Sequence, residues 1–135
     1  MNVSDHAATI HAASIVIDPC VQYLIHRSDR TDRSGVTAVA LTVPRPGADM
    51  VETWPLVRDF LDVIVSEPTF CLGDSPQAIR DAHAQGKLAH IFLSQDTTFV
   101  GMNLKNLLVW KQLGLRILQL TYMEQNYAGG GCLER

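Results

Sequence analysis

Cys20 and Gln22 stand just past the apolar run Ile15-Val16-Ile17, in the stretch SIVIDPCVQY. A thiol beyond a strand end is a possible zinc ligand once ionised, but this one would stand alone. It reads more readily as a small apolar residue packed in the core than as a ligand. The other chemistry-bearing residues are scattered. Five histidines (His6, His11, His26, His83, His90) form no i, i+4 pair that one helix face could offer to a metal. Three cysteines, at 20, 71 and 132, make an odd number with no C-x-x-C, which argues against a disulfide framework or a structural zinc site. Gly129-Gly130-Gly131 lacks the strand-turn-helix setting of a phosphate loop and reads as a flexible loop. Gln95 and Asp96 follow the apolar run Leu88–Leu93. One reading of Gln22 and Gln95, alternative to any ligand role, is that they simply hydrogen-bond to each other.

The elements that would position these residues follow from periodicity. Ser14–Asp18 reads as a short buried strand broken by Pro19. Residues 19–34 form a polar loop, in which the alternating charges of His26–Arg33 mark a solvated segment. VTAVALTV, Val36–Val43, is a β-branched run without alternation, as expected of a strand covered on both faces. A helix opens near Thr53 with Pro55 in its first turn and carries the stripe Trp54, Val57, Phe60, Leu61, Ile64. Ser75-Pro76 caps the next helix, which ends at Gly86. The strand LAHIFL follows, then a helix over about Leu104–Leu113 with the stripe Leu104, Leu107, Leu108, Lys111, then the strand LRILQLT. Counting by twos from Gln95 puts Leu93, Ile91 and Ala89 on one face and turns His90 to the other, toward the covering helices. Strands alternating with helices predict right-handed crossovers and a parallel sheet of about four strands.

A chain of 135 residues is one domain of ordinary size and buries roughly two-thirds of its surface. The net charge of −3, without a basic cluster or stripe, excludes nucleic acid as a partner. The N-terminus has no basic start or apolar core and does not read as a signal peptide. No apolar run approaches the ~18 residues of a membrane span. The expected setting is the cytoplasm.

Three segments together resemble the membrane (renal) dipeptidase family of amidohydrolase-type metallopeptidases: SIVIDPCVQY, GKLAHIFLSQDTTFVG and LLVWKQLGLRILQLTYMEQN with the following GGGCLE. The resemblance runs from about residue 14 to the end and corresponds to the first half of the family's (β/α)₈ barrel. It implies an α/β fold, a half TIM-type barrel over 14–135 behind an N-terminal tail of 1–13, cut before strand five. It also implies roles. The family's His-x-Asp after strand one falls on Cys20 and Gln22, its zinc-bridging Glu on Gln95, and a substrate-contacting His on Tyr122. Tyr122 is thus the candidate catalytic residue, Asn126 a candidate substrate-binding residue, and Cys20, Gln22 and Gln95 occupy the metal positions.

Two zinc ions need anionic bridges and imidazole ligands, whereas Gln22 and Gln95 are neutral amides. Asp96 restores a carboxylate only through a one-residue slip, which reverses the face. The expectation is weak or no zinc binding by this chain. Two readings stay open: a dipeptidase-type hydrolase, or the N-terminal piece of one, acting on dipeptides with zinc; and a non-catalytic α/β module binding a small molecule or a partner. A half-barrel has open edges at its first and last strands and an inward face, with Ile91 and Leu93, that would meet water. Such a chain is expected to form a homodimer or to join a second half-barrel.

Overall fold

The computed structural model describes residues 4–22 and 35–134. The charged run His26–Arg33, expected as a loop, lies outside the described residues. The elements in chain order are α1 (Asp5–Ala13), β1 (Ile17–Val21), β2 (Ala38–Thr42), α2 (Met50–Ser66), β3 (Phe70–Leu72), α3 (Pro76–Gln85), β4 (Leu88–Ser94), a 3₁₀ turn (Thr98–Val100), α4 (Asn106–Gln112) and β5 (Leu115–Leu118). All strand pairs are parallel: β1 with β2, β2 with β4, and both β3 and β5 with β4. The mixed α/β class and parallel sheet match the expectation. The strand count does not, because β3 is a fifth strand. Its three residues, Phe-Cys-Leu, are too few to show a period. They are extended only because the first half of β4 offers them a partner, while β5 takes the second half of the same edge.

That extra strand changes which face each helix covers. The chain passes from β2 over β4 to β3, then doubles back to β4. Right-handed crossovers in opposite directions put their helices on opposite faces. Accordingly α2 packs Val57 and Phe60 against Val39, Leu41 and Phe92 on one face, here called outer. Helix α3 packs Ala82 and Ile79 against Ala38, Ala40, Ala89, Ile91 and Leu93 on the other. The inward face was expected to meet water at Ile91 and Leu93; both are buried, because α3 covers it. At the end of β3 the backbone comes so near this face that a Cβ on Gly73 would lie 2.9 Å from Ile91.

Helix boundaries follow local chemistry. Helix α3 starts and stops as expected, with the Ser75 hydroxyl accepting from the Ala78 N–H, Pro76 at its start, and Gly86 left-handed at its end. Helix α2 opens three residues before Thr53, at Met50, because Asp49 and Glu52 form a reciprocal capping box. Pro55 therefore lies inside the helix rather than in its first turn. Strand β1 begins later than expected and runs through Pro19 and Cys20, and its first four residues are exposed while Val21 is buried in the core. It is the sheet edge, where a missing N–H is tolerated, and its register shifts between Asp18 and Val21.

Helix α4 presents a different face from the expected stripe. Leu104 precedes the helix and is 73% exposed, Leu108 is 67% exposed, and Trp110 is the buried residue. The Trp110 ring sits 5.0 Å from Phe99 and 4.7 Å from Trp54, and that large contact sets the roll of a seven-residue helix. His90 is a core residue on the outer face, as expected: it is 3% exposed, with its ring 4.4 Å from Phe70. Burial lowers its pKa to about 4, with the Leu88 backbone opposing a little of that shift. Among the described residues no helix is long and apolar enough to cross a membrane.

Candidate functional site

The C-terminal ends of parallel strands bring their following residues to one mouth. Cys20 is the fourth residue of β1 and Gln22 follows its end; Gln95 follows β4; Tyr122 lies beyond β5. The Gln22 Nε2–H donates to Gln95 Oε1 at 3.2 Å, the cross-mouth bond expected from sequence. Gln95 Nε2 in turn approaches Cys20 Sγ at 3.6 Å. Cys20 itself is exposed, not the packed apolar residue that was one reading of it. A cavity of about 150 Å³ opens beside the amide pair, lined by Gln22, Thr42, Arg45, Pro46, Gln95 and Tyr122.

Asn126 does not join them. Its side-chain N–H donates to the Leu120 carbonyl (2.9 Å) and its Oδ1 accepts from the Ala128 N–H (2.8 Å), so the amide is used within its own turn. The three glycines read as a loop lie in a hydrogen-bonded turn. The Asn126 and Gly129 backbones bond each other, and Cys132 and Leu133 donate back to the Tyr122 and Met123 carbonyls at 2.9 Å. A Cβ on Gly131 would fall 2.3 Å from the Met123 backbone, so this close return admits only glycine.

Asp96 is buried and turned from the cavity. Its Oδ2 accepts from the Gly47 N–H at 2.6 Å and from the Thr98 hydroxyl at 3.1 Å, and its Oδ1 from the Thr98 N–H at 3.1 Å. The one-residue slip is therefore not realised. Asp96 instead pins the β2–α2 loop to the mouth. That loop carries Arg45, which pairs with Glu52 of the α2 capping box. Arg45 and Thr42 escaped the sequence reading. The available signal was position: both stand where β2 ends and its loop begins, the place from which barrel sites draw residues.

The donor set does not fit a zinc pair. Its oxygens are the neutral oxygens of two amides bonded to each other, beside a single thiol. Among the described residues no group of three or more His, Cys, Asp or Glu side chains could hold a metal ion. What the arrangement offers is a row of hydrogen-bonding groups and one guanidinium.

No protein-family model and no curated protein matches the chain. Solved structures do. An amidohydrolase from Pseudomonas aeruginosa superposes with a TM-score of 0.87 at 29% identity, over 95% of this chain and 40% of that one. The dipeptidase AC, a metallopeptidase of family M19, gives 0.62 at 17% identity, over 80% of this chain and 43% of that one. A metallopeptidase from Rhodobacter sphaeroides, solved with a phosphinate mimic of the dipeptide L-Ala-D-Ala, gives 0.63 at 12%, over 82% and 46%. The two latter likenesses speak for the fold. The chain spans less than half the length of each of these proteins. It is similar to the amidohydrolases and to the membrane-dipeptidase metallopeptidases, and what it matches is a part of their barrel consistent with the N-terminal half.

Proposed function

We propose that this chain is the N-terminal part of a dipeptidase-like hydrolase barrel whose strand mouth binds a small amide- or carbonyl-bearing molecule without zinc at Cys20, Gln22 and Gln95. The observation that carries this reading is the hydrogen bond between the two amides where anionic ligands would be required. Neutral oxygens leave the charge of Zn²⁺ uncompensated, but they suit the polar groups of an amide. Tyr122 adds a hydroxyl to the same cavity and is the residue we assign to orienting a substrate carbonyl.

Calorimetric titration of the chain with zinc tests this. No binding in the submicromolar range is expected, and zinc is expected to add no hydrolysis of dipeptides such as L-Ala-D-Ala. Tight zinc binding lost in Cys20→Ser, or zinc-dependent dipeptide hydrolysis, overturns it. The second reading is a zinc-dependent dipeptidase; the 29% identity to an amidohydrolase over nearly the whole chain supports its hydrolase part. Association belongs to the proposal too. The β5 edge carries an apolar groove with Val100, Met102, Leu107, Leu118 and Leu120, suited to a second copy or a second half-barrel. Light scattering at micromolar concentration reads this: a dimer or larger species is expected, and a dispersed monomer refutes it. The thiols of Cys20, Cys71 and Cys132 are free, in keeping with the cytoplasm.

A further inference from the structure

We infer that a second cavity, at the end of the sheet where the strands begin, is a phosphate site, with Lys87 and His83 as the residues that hold the anion. It lies opposite the mouth and does not depend on how the mouth is read. Three observations carry it. The first is the charge of its walls. The cavity, about 360 Å³, is lined by Thr37, Thr69 and Lys87, each one residue before β2, β3 or β4, and by His83 in the last turn of α3. Residues at this end of a β/α sheet ordinarily serve stability. A lysine kept there for stability would be balanced by an acid. No Asp or Glu lines the cavity, and Lys87 has no ion-pair partner among the described residues. Glu67, two residues before Thr69, is used locally: its Oε1 accepts from the Thr69 hydroxyl at 2.9 Å. An ammonium lining a cavity without a counter-charge attracts an anion into it.

Second, the imidazole is set in advance. Thr37 is buried, its hydroxyl oxygen accepts from the Val16 N–H at 3.2 Å, and it lies 3.4 Å from His83 Nδ1. The hydroxyl proton is then best used on Nδ1, which puts the ring's own proton on Nε2 and leaves an N–H donor. The C-terminal end of α3, which by itself repels anions, is capped. The Gly86 N–H reaches the Ala82 and His83 carbonyls, and the Lys87 N–H reaches the Ala82 carbonyl at 2.8 Å. Third, donor type and size select among anions. A lysine and an imidazole are separate donors without the planar fork by which arginine matches a carboxylate, whereas the spread oxygens of a phosphate can accept from both. The volume is room for roughly twelve waters at ~30 Å³ each, more than inorganic phosphate fills. Ala12, Val36 and Leu88 give the remainder an apolar wall. A small organic phosphomonoester uses both parts; inorganic phosphate offers the same group alone.

The experiment is a calorimetric titration of the whole chain with inorganic phosphate, phenyl phosphate and benzyl alcohol, the last a ring without the charge. Phenyl phosphate is expected to bind most tightly and benzyl alcohol not at all. Lys87→Gln is expected to weaken both phosphates about tenfold or more, as loss of one charge-assisted contact does. His83→Ala is expected to weaken them in the same direction, so the result does not hang on the folding of one variant. Lys105→Gln, on the exposed approach to α4, is expected to change nothing. Tighter binding of phenyl phosphate than of phosphate assigns the site to organic phosphomonoesters, and equal binding assigns it to phosphate itself. Either supports the inference. Four results overturn it: no binding of either phosphate at millimolar concentration, benzyl alcohol binding as tightly as phenyl phosphate, affinity unchanged in Lys87→Gln or in His83→Ala, or an equal loss in Lys105→Gln. Phosphate affinity that survives Lys87→Gln but is lost in Arg45→Gln would place the anion at the mouth and also overturns it.

Discussion

The two faces of the sheet are built from opposite materials. On the outer face Phe92, Phe60 and the Phe99–Trp110 pair fill the space under α2 and α4 with large rings. On the inner face Ala38, Ala40 and Ala89 make a floor of methyl groups on which Ala82 of α3 lies directly. Both faces are dry, yet one is sealed by volume and the other by closeness. The difference shows why the inner face does not meet water at Ile91 and Leu93. Small side chains let α3 approach it closely.

The contrast fails most visibly if loss of volume on the outer face and gain of volume on the inner face are not both destabilising. Phe92→Ala removes a fully buried ring stacked 5.8 Å from Phe60. It should cost about 3–5 kcal/mol, a large share of a domain's stability. Urea denaturation checks this, and a cost under about 1 kcal/mol would mean the outer core is loose.

The outer face also carries a titration. His90 is folded with a pKa of about 4 against an ordinary 6.5. Between these values the unfolded chain binds the proton and the folded chain does not. The resulting loss is absent above pH 6.5, grows as pH falls and is complete below about 4, on the order of 3 kcal/mol. Denaturation midpoints at pH 7.5 and 4.5 measure it, and His90→Leu should flatten the dependence by that amount. An unchanged slope would show that the ring is not held neutral.

On the inner face the sign of the volume change reverses. Ala89→Leu adds bulk where the Gly73 backbone and α3 meet the sheet, and should cost about 1–3 kcal/mol. A neutral effect there would mean that α3 stands further off than its contacts indicate. The smallest effects are at the caps. Asp49→Ala on α2 and Ser75→Ala on α3 should each cost about 1 kcal/mol in thermal melts. A much larger loss for one would reveal that its helix depends on the cap more than on its face.

Much of this was legible along the chain. The Ser75-Pro76 start and Gly86 stop of α3 are local hydrogen-bond chemistry, complete within a few residues, and they stand as read. The alternation through β4 correctly separated His90 from Ala89 and Ile91. The Gln22–Gln95 bond was legible through the resemblance, which puts both residues after strands that a parallel sheet brings to one end. The start of α2 lies three residues before the expected Thr53, because Asp49 and Glu52 close a capping box there and Pro55 falls inside the helix. Within the candidate site, Arg45 and Thr42 were passed over because nothing in their types marks them until the loop is folded over the mouth.

The sequence by itself determined the alternation of four of the strands with the helices and the parallel sense of the sheet, while the resemblance to the dipeptidase family marked Gln22 and Gln95 as amides at metal positions. Period and residue type encode the alternation, and neither depends on what lies across the core. Only the tertiary structure decided that β3 joins the far side of β4, that α3 therefore crosses to the inner face, that Trp110 turns α4, and that Asp96 faces away to hold the loop bearing Arg45. A periodic pattern states which residues share a face. It does not state which neighbour that face will meet, because that is fixed by which edge is free to pair and by the volume left between the packed elements.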